Sequence, residues 1–471
     1  MDHTPTMAYT SATEIARRTR SGEVTARAVT EFFLARIHAL NPILHAFTRV
    51  LHTEALAAAD ALDALPAGER GPLHGVPIAI KGEVDVRGMV THHGSAAFTT
   101  PARRDSEVVR RLRAAGAVIV GQTALPEFSI WPYTESNAFG YALNPWSLEH
   151  SPSGSSGGSA AAVSAGMVPA ALGGDGGGSI RLPAAWCGLF GLKPQRGRVS
   201  TGPNPSLWGD LGTLGPLTRT VEDSLLLYGV IQGHLDGVDE HSAGPLTVPG
   251  DGPLRIAWST AAPFPARPTR ETRRAVAETA RLLEKLGHEV DRIDFTYPRD
   301  LTAAFVPQYL AGFGATAARA EKPGLVERRT RQAARIGRLT RLTAPGTVDA
   351  ARERGRRAGR AVTDKLFGTY DLFLTPTVPH AAPRIGQLDG LGFLRAALKA
   401  SRVASLTAPW NVAGNPAAAV PAGFDARGLP LSVQLVGPPD GELIICEAAA
   451  QLQAERRWED AHPPIEVLQG L

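Results

Sequence analysis

The sequence predicts an α/β layer fold, on three observations. Short, wholly apolar runs of strand length alternate with amphipathic stretches of helical period. The apolar runs are bounded by glycine and proline. Hydrophobic residues make up 43% of the 471-residue chain and charged residues 20%, enough to bury a large core. The 50 glycines and 37 prolines mark turns around that core, because no long stretch lacks apolar residues.

Taken in order, residues 10–41 read as helices. Thr10 or Ser11 caps the first, and Ile15-Ala16 begins its apolar face. Residues 29–37 continue at helical spacing, and Asn41-Pro42 is expected to stop the second helix. An Ala-rich helix covers 54–64, a short strand 76–80, an amphipathic helix 106–114 and a buried strand 117–121. A helix of small residues, 159–166, opens directly from a Gly/Ser turn. Gly244-Pro245 and Pro249-Gly250-Asp251-Gly252-Pro253 are turn clusters marking a change of section. Beyond them come a strand at 254–258, a long helix at 270–286 and a strand starting at Glu289-Val290. A mostly helical stretch spans 300–365, and a buried strand 371–376. Residues 416–421 and 431–436 read as paired strands. With no internal repeat and no clean linker, the chain is expected to be one compact domain whose 225–370 stretch is a more variable, substrate-side lobe.

The formal net charge of +4 is small for this length. Basic residues gather between Arg319 and Arg360, but acids are interleaved and aromatics absent, so the run reads as a solvated helix face and no nucleic-acid partner is expected. Cys187 and Cys446 are too far apart for a disulfide framework and have no metal spacing; they read as buried thiols in a reducing compartment. Residues 1–6 lack the basic and apolar regions of a signal peptide, and no apolar run reaches the ~18 residues of a membrane span. The expectation is a cytoplasmic protein with no membrane partner, metal or cofactor, as monomer or homodimer.

The chemistry lies in a paired tract. Gly154-Ser155-Ser156-Gly157-Gly158-Ser159 is followed by Gly173-Gly174-Asp175-Gly176-Gly177-Gly178-Ser179-Ile180-Arg181, and upstream the run Val76-Pro77-Ile78-Ala79-Ile80 ends in Lys81. A serine hydroxyl is a weak nucleophile and needs a base. It also needs donors aimed at the developing oxyanion, and the backbone N–H groups of Gly176, Gly177, Gly178 and Ser179 can form such a nest. Lys81, following an apolar stretch, is placed where desolvation favours its neutral amine, as a general base requires. Ser155 can stand between them, since a hydroxyl donates and accepts at once. A phosphate cradle fits poorly, because neither tract has the Gly-x-x-x-x-Gly-Lys-Ser/Thr pattern or a dinucleotide context. A flexible linker fits no better, given the flanking apolar segments 159–166 and Leu182-Pro183-Ala184-Ala185-Trp186.

With these residues the sequence resembles the amidase signature family. The matching elements are Gly75-Val76-Pro77-Ile78-Ala79-Ile80-Lys81, the tract from Gly154 to Arg181, Gly191-Leu192-Lys193-Pro194, Gly197-Arg198-Val199-Ser200 and Gly215-Pro216-Leu217-Thr218-Arg219 with Val221-Glu222-Asp223. Asn411-Val412-Ala413-Gly414-Asn415-Pro416 and Gly428-Leu429-Pro430-Leu431 complete it. The resemblance spans essentially the whole chain and is most specific at 70–225, the expected catalytic core. It implies a single domain with a central mixed twisted β-sheet covered by helices on both sides. It implies that Ser179 is the nucleophile, Lys81 the base and Ser155 the bridging serine, with a cis peptide at that serine. Asp175 and Arg181 match supporting positions beside the nucleophile, as a buried ion pair shaping the loop, and Ser156 is expected to contribute a hydrogen bond.

The sequence departs from the family in three places. Gly174 and Gly176 stand where threonines are common, so a more pliable oxyanion loop is expected. Lys81 is followed by Gly82-Glu83 where Lys-Asp is frequent, and Pro152-Ser153-Gly154 replaces a start with two glycines. Residues 312–319 do not match the Ala-Arg-Tyr-Asp-Gly region of the glutaminase subunits that serve tRNA transamidation, so a stand-alone amidase is favoured over such a subunit. Ile130, Trp131 and Tyr133 are expected to line an aromatic substrate pocket, with Trp208, Phe305, Tyr309, Phe313 and Trp410 as further candidates. The expected substrate is an apolar or aryl amide, with carbamates and esters as alternatives on the same machinery.

Overall fold

The computed structural model describes residues 7–203, 208–233, 246–248, 250, 252–344 and 346–464. Residues 1–6, the Gly244-Pro245 turn, and Pro249 and Asp251 of the second turn cluster lie outside the described residues. Thirteen strands are described: β1 (Phe47–Val50), β2 (Pro77–Lys81), β3 (Val118–Thr123), β4 (Glu135–Ser136), β5 (Gly140–Tyr141), β6 (Ala170–Asp175), β7 (Phe190–Lys193), β8 (Thr213–Thr218), β9 (Arg255–Trp258), β10 (Glu289–Arg292), β11 (Leu372–Pro376), β12 (Ala417–Phe424) and β13 (Pro430–Val436). Eleven of them form one sheet in the order β1-β3-β2-β6-β8-β7-β12-β13-β11-β9-β10. The sheet is mixed: β2 pairs parallel with β3 and β6, and β9 with β10 and β11, while the remaining pairs are antiparallel. The two strands read at 416–421 and 431–436 are the antiparallel neighbours β12 and β13.

Strand periodicity sorts the core onto two faces. Ile78, Ile80, Leu172, Leu374, Val433 and Leu435 belong to one hydrophobic cluster, together with the helices Val221–Ile231, Arg270–Lys285 and Glu442–Arg456. The residues between them, Ala79, Ala171, Phe373 and Val436, belong to clusters on the opposite face. There the helices Gly157–Ser164 and Arg181–Cys187 pack, followed by helices between Arg299 and Ala413. Both faces are therefore covered. The 225–370 stretch contributes β9 and β10 to the same sheet, besides the helices Phe305–Ala318, Arg328–Thr343 and Thr347–Phe367. On the last of these, Ala351, Gly355 and Gly359 face inward while Arg354, Arg357 and Arg360 are exposed, the solvated face read from the sequence. No helix among the described residues is long and apolar enough to cross a membrane, and both cysteines are buried and free.

One expectation is corrected, and one strand the pattern did not show is added. The second helix does not stop at Asn41-Pro42 but runs as Ala26–Leu44, ending at His45 in the left-handed region (φ 49°). A proline in a last turn removes only one N–H, and Asn41 secures the exit, accepting from the Phe47 N–H (2.7 Å) and donating to the Phe47 carbonyl (3.0 Å). The second Gly/Ser tract is not a turn throughout: Gly173, Gly174 and Asp175 end strand β6, paired with β8 at Gly215, Leu214 and Thr213. The bend begins at Gly176. This matters for the site, because β6 lies parallel to β2 in the register Ile78↔Ala170 and Ile80↔Leu172. Parallel neighbours bring their C-terminal ends to one edge of the sheet, so Lys81 and Asp175, the last residues of β2 and β6, emerge side by side.

Candidate active site

Lys81 closes a strand whose five residues are all buried. Its Nζ donates to Ser155 Oγ (2.7 Å) and to the Gly174 carbonyl (3.3 Å), and it pairs with Glu83 Oε1 (2.9 Å). Burial pushes the amine below the ordinary lysine range, and the Glu83 carboxylate works against that shift. Ser155 follows a cis peptide bond from Gly154 and is wholly buried. Its neighbour Ser156 joins the two halves of the tract. Ser156 Oγ donates to the Gly174 carbonyl and accepts from the Gly174 N–H (both 3.2 Å), while the Ser156 N–H donates to the Ser179 carbonyl (3.2 Å).

Asp175 and Arg181, both fully buried, shape the bend that carries Ser179. Asp175 accepts from Arg181 Nε and Nη2 (3.0 Å each), from Asn411 Nδ2 (2.9 Å), and from the N–H groups of Gly178 (2.7 Å) and Ile180 (3.2 Å). Burial alone would raise its pKa; Arg181 beside it, with these donors, holds the carboxyl well below the usual range. Arg181 is held in turn by Gln434 Oε1 (2.7 Å), Asn411 Oδ1 (2.7 Å) and the Thr407 carbonyl (3.1 Å). One expected oxyanion donor is thereby corrected. The Gly178 N–H is spent on Asp175 and is not free for a substrate; Gly176, Gly177 and Ser179 remain as the donors to consider.

The glycines here make room for neighbours more than they loosen the chain. A Cβ at Gly176 would stand 2.2 Å from the Trp208 ring, and one at Gly174 would stand 2.1 Å from Glu83 Oε1. The space that threonines would fill is taken by an indole and a carboxylate. Gly176→Ala is therefore expected to displace Trp208 and the loop, lowering kcat/KM by about 100-fold, the cost of ångström-scale misplacement. Steady-state kinetics beside a thermal melt that stays near wild type would check this.

Ser179 (7% exposed) and Gly177 open onto a cavity of about 370 Å³. Ile130 and Trp131 line it, as expected, and so do Trp208, Phe305 and Tyr309. Tyr133 does not: it is buried behind the cavity, stacked on Trp186 with ring centroids 6.2 Å apart. Phe313 packs behind Tyr309 (4.1 Å), and Trp410 lies against Phe295 and Phe373 in the core. Sequence reasoning missed the opposite wall, where Phe393, Leu394, Ala397 and Ala400 come from the helix Phe393–Ala404. The available signal was an excess of apolar residues, since Leu394 and Leu398 stay exposed after Phe393, Ala396, Ala400 and Val403 are buried. It also assigned no role to Glu83 and missed Ser129 and Thr407, each polar and buried beside the Gly/Ser tract. No charged side chain lines the cavity among the described residues.

Comparison with known proteins gives the family. The family model described as Amidase matches residues 28–446. A Mycobacterium tuberculosis protein named "Putative amidase AmiB2" is 42% identical over 468 residues, covering 98% of this chain and 99% of its own. Among solved structures, 6-aminohexanoate cyclic dimer hydrolase superposes with a TM-score of 0.89 at 29% identity, covering 98% of this chain and 99% of that one. A bacterial aryl acylamidase of the amidase signature family superposes with a TM-score of 0.83 at 26% identity, covering 96% and 97%. A family match that takes in β2, both serine turns and the Asp175–Arg181 bend places the chain in the amidase signature family, as an enzyme that hydrolyses amides.

Proposed function

We propose that the protein cleaves apolar or aryl amides through an acyl-enzyme on Ser179, with Lys81 as general base and Ser155 as the bridge between them. The observation that carries this reading is the 2.7 Å hydrogen bond from a fully buried Lys81 to Ser155, in a turn tied through Ser156 to the residue that opens onto the cavity. In the first half-reaction Ser179 Oγ attacks the carbonyl carbon. Its proton moves to Ser155 Oγ as the Ser155 proton moves to the neutral amine of Lys81. The oxyanion is met by backbone N–H groups among Gly176, Gly177 and Ser179. The tetrahedral species then collapses, the C–N bond breaks, and the proton held by Lys81 returns through Ser155 to the departing nitrogen. Water repeats the sequence on the ester and releases the acid. General base assistance and oxyanion donors each contribute about 10²–10⁴-fold to such a step.

The cavity supports the substrate class. Its ~370 Å³ suits a small aromatic or branched acyl group. A glutamine substrate brings an α-ammonium and an α-carboxylate, and the described lining holds no charged group for either. This favours a stand-alone hydrolase over a glutaminase-type subunit. Two of the structural neighbours carry names of hydrolases, an aryl acylamidase and a 6-aminohexanoate cyclic dimer hydrolase.

The test is a panel of anilides, aliphatic amides, aryl esters and carbamates given to the purified chain alone. Hydrolysis of anilides is expected to lead among the nitrogen-linked substrates, and carbamates turned over faster than amides would move the reading to a urethane hydrolase. Trp131, held between Phe393 (ring centroids 6.2 Å) and the Arg329 guanidinium (5.8 Å), is the aromatic contact to remove. Trp131→Ala is expected to lower the ratio of anilide to aliphatic-amide hydrolysis by about two- to tenfold, the loss of one aromatic contact worth ~0.5–1.5 kcal/mol. The ratio is internal to each preparation, so lost stability does not mimic it; an unchanged ratio removes Trp131 from substrate recognition.

A further inference from the structure

Glu83 takes no part in the chemistry above, yet its side chain is only 4% exposed and its Oε1 lies 2.9 Å from Lys81 Nζ. Two features of the backbone hold it there. At Gly174 a Cβ would stand 2.1 Å from Glu83 Oε1, so only glycine leaves room for the carboxylate in this position. On the other side Phe128 and Ser129 both adopt positive φ, 54° and 59°, a conformation uncommon for residues other than glycine. That pair brings Ser129, which lines the cavity, to donate its hydroxyl to Glu83 Oε2. Each carboxylate oxygen thus has its own partner, one of them Lys81.

The other titratable and charged groups around Lys81 are otherwise engaged. Asp175, at the end of β6, is paired with Arg181. His93, whose N–H donates to the Gly82 carbonyl, is pushed by burial down to about 4 and is neutral at physiological pH. Ser155 and the Gly174 carbonyl are uncharged.

We propose that Glu83 is the positioning residue that sets the charge state and direction of Lys81, with Gly174 and Ser129 keeping its carboxylate in contact. The inference rests on the reading of Lys81 as the general base. Burial drives a lysine toward its neutral form and, unopposed, makes it a weak base. A carboxylate in contact restores part of its basicity and takes up one N–H of the neutral amine, while the Gly174 carbonyl takes the other, which leaves the lone pair facing the Ser155 hydroxyl. The departure of this sequence from the family at Gly174 and at Glu83 is then one change and not two, because the missing side chain and the added carboxylate occupy the same space.

The test is the acid limb of kcat/KM against pH, which falls as Lys81 becomes protonated. In Glu83→Gln the limb is expected to move to lower pH by about 1–3 units, the usual effect of one opposite charge in contact, with a reduced plateau. Glu83→Asp, which keeps the charge on a shorter arm, is expected to hold the limb closer to wild type. Gly174→Ala leaves Glu83 in the sequence but pushes its carboxylate away from Nζ, and is expected to move the limb in the same direction as Glu83→Gln; it carries the test if Glu83→Gln does not fold. A limb that stays in place or moves to higher pH in either folded variant overturns the inference. Lys81→Ala separates the two readings. A residual activity with the wild-type limb defeats Lys81 as the base, whereas loss of activity or of the limb there, with an unmoved limb in Glu83→Gln, defeats only the role of Glu83.

Discussion

Ser179→Ala is expected to abolish amide hydrolysis, with kcat lowered by about 10⁴–10⁶-fold, the range found when a nucleophile is removed from a serine hydrolase. The change deletes one oxygen at a residue that is 7% exposed and lines the cavity. The Asp175–Arg181 pair, the Ser156 link and the cavity walls involve other atoms, so the fold and the thermal melt are expected to stay near wild type. Ligand affinity is expected to persist, because the apolar walls are untouched. Mass spectrometry of the wild-type protein with a slow aryl ester or carbamate is expected to find the acyl adduct on the peptide carrying Ser179, and none in the variant. Amide hydrolysis within tenfold of wild type in the purified variant would sink Ser179 as nucleophile. A variant that loses turnover but still forms an adduct would move the attack to Ser155 or Ser156.

Asp175→Asn is expected to be the most damaging substitution for stability near the site. Arg181 is wholly buried, and Asp175 is its only ion-pair partner among the described residues. Removing one member of a buried pair leaves the other charge uncompensated, a loss of about 3–5 kcal/mol. It also weakens the acceptor that holds the Gly178 N–H, so the bend carrying Ser179 loses its shape and activity falls together with stability. Linkage gives a second readout. The Asp175 carboxyl is depressed in the folded protein, so its contribution is fully present above the ordinary carboxylate range of ~3.9 and is lost as pH falls toward the folded value. Denaturant midpoints measured between about pH 3 and 7 are expected to fall on the acid side in wild type, and to fall less steeply in Asp175→Asn. Equal midpoints and equal slopes in the two proteins would show that the pair does not hold the bend.

Much of this was legible in the sequence, for reasons that also explain the rest. The strands at 76–80, 117–121 and 371–376 are short apolar runs because both their faces are buried, and that signal needs no tertiary knowledge. Lys81, Ser155 and Ser179 stood out because an acyl-transfer site needs a base, a hydroxyl and backbone donors, and here a lysine ends an apolar run and the serines sit in glycine-rich tracts. The end of strand β6 does not show in the sequence, because its glycines argue against a strand. Here their side-chain space is filled by others, which a one-dimensional pattern does not record. Tyr133 and Trp131 are two residues apart and look alike, yet one packs on Trp186 and the other lines the cavity. Which of the two reaches the cavity depends on the helix Phe393–Ala404, more than 250 positions later. The same holds for the Gly178 N–H: three glycines can form a nest, but only the position of the Asp175 carboxylate decides which donors it leaves open.

Strand β13 and the helix before β12 give the bend around Ser179 a dependence on the order in which the chain is made. Gln434 and Asn411 hold Arg181 from 253 and 230 positions downstream, and Thr407 Oγ1 donates to the Gly177 carbonyl (2.7 Å). A ribosome releases the whole signature tract long before it releases these three residues. Until then the Arg181 guanidinium has Asp175 and lacks Thr407, Asn411 and Gln434, three of the four residues that its side chain bonds. The bend around Ser179 therefore gains its full set of partners only when the last strands have joined the sheet.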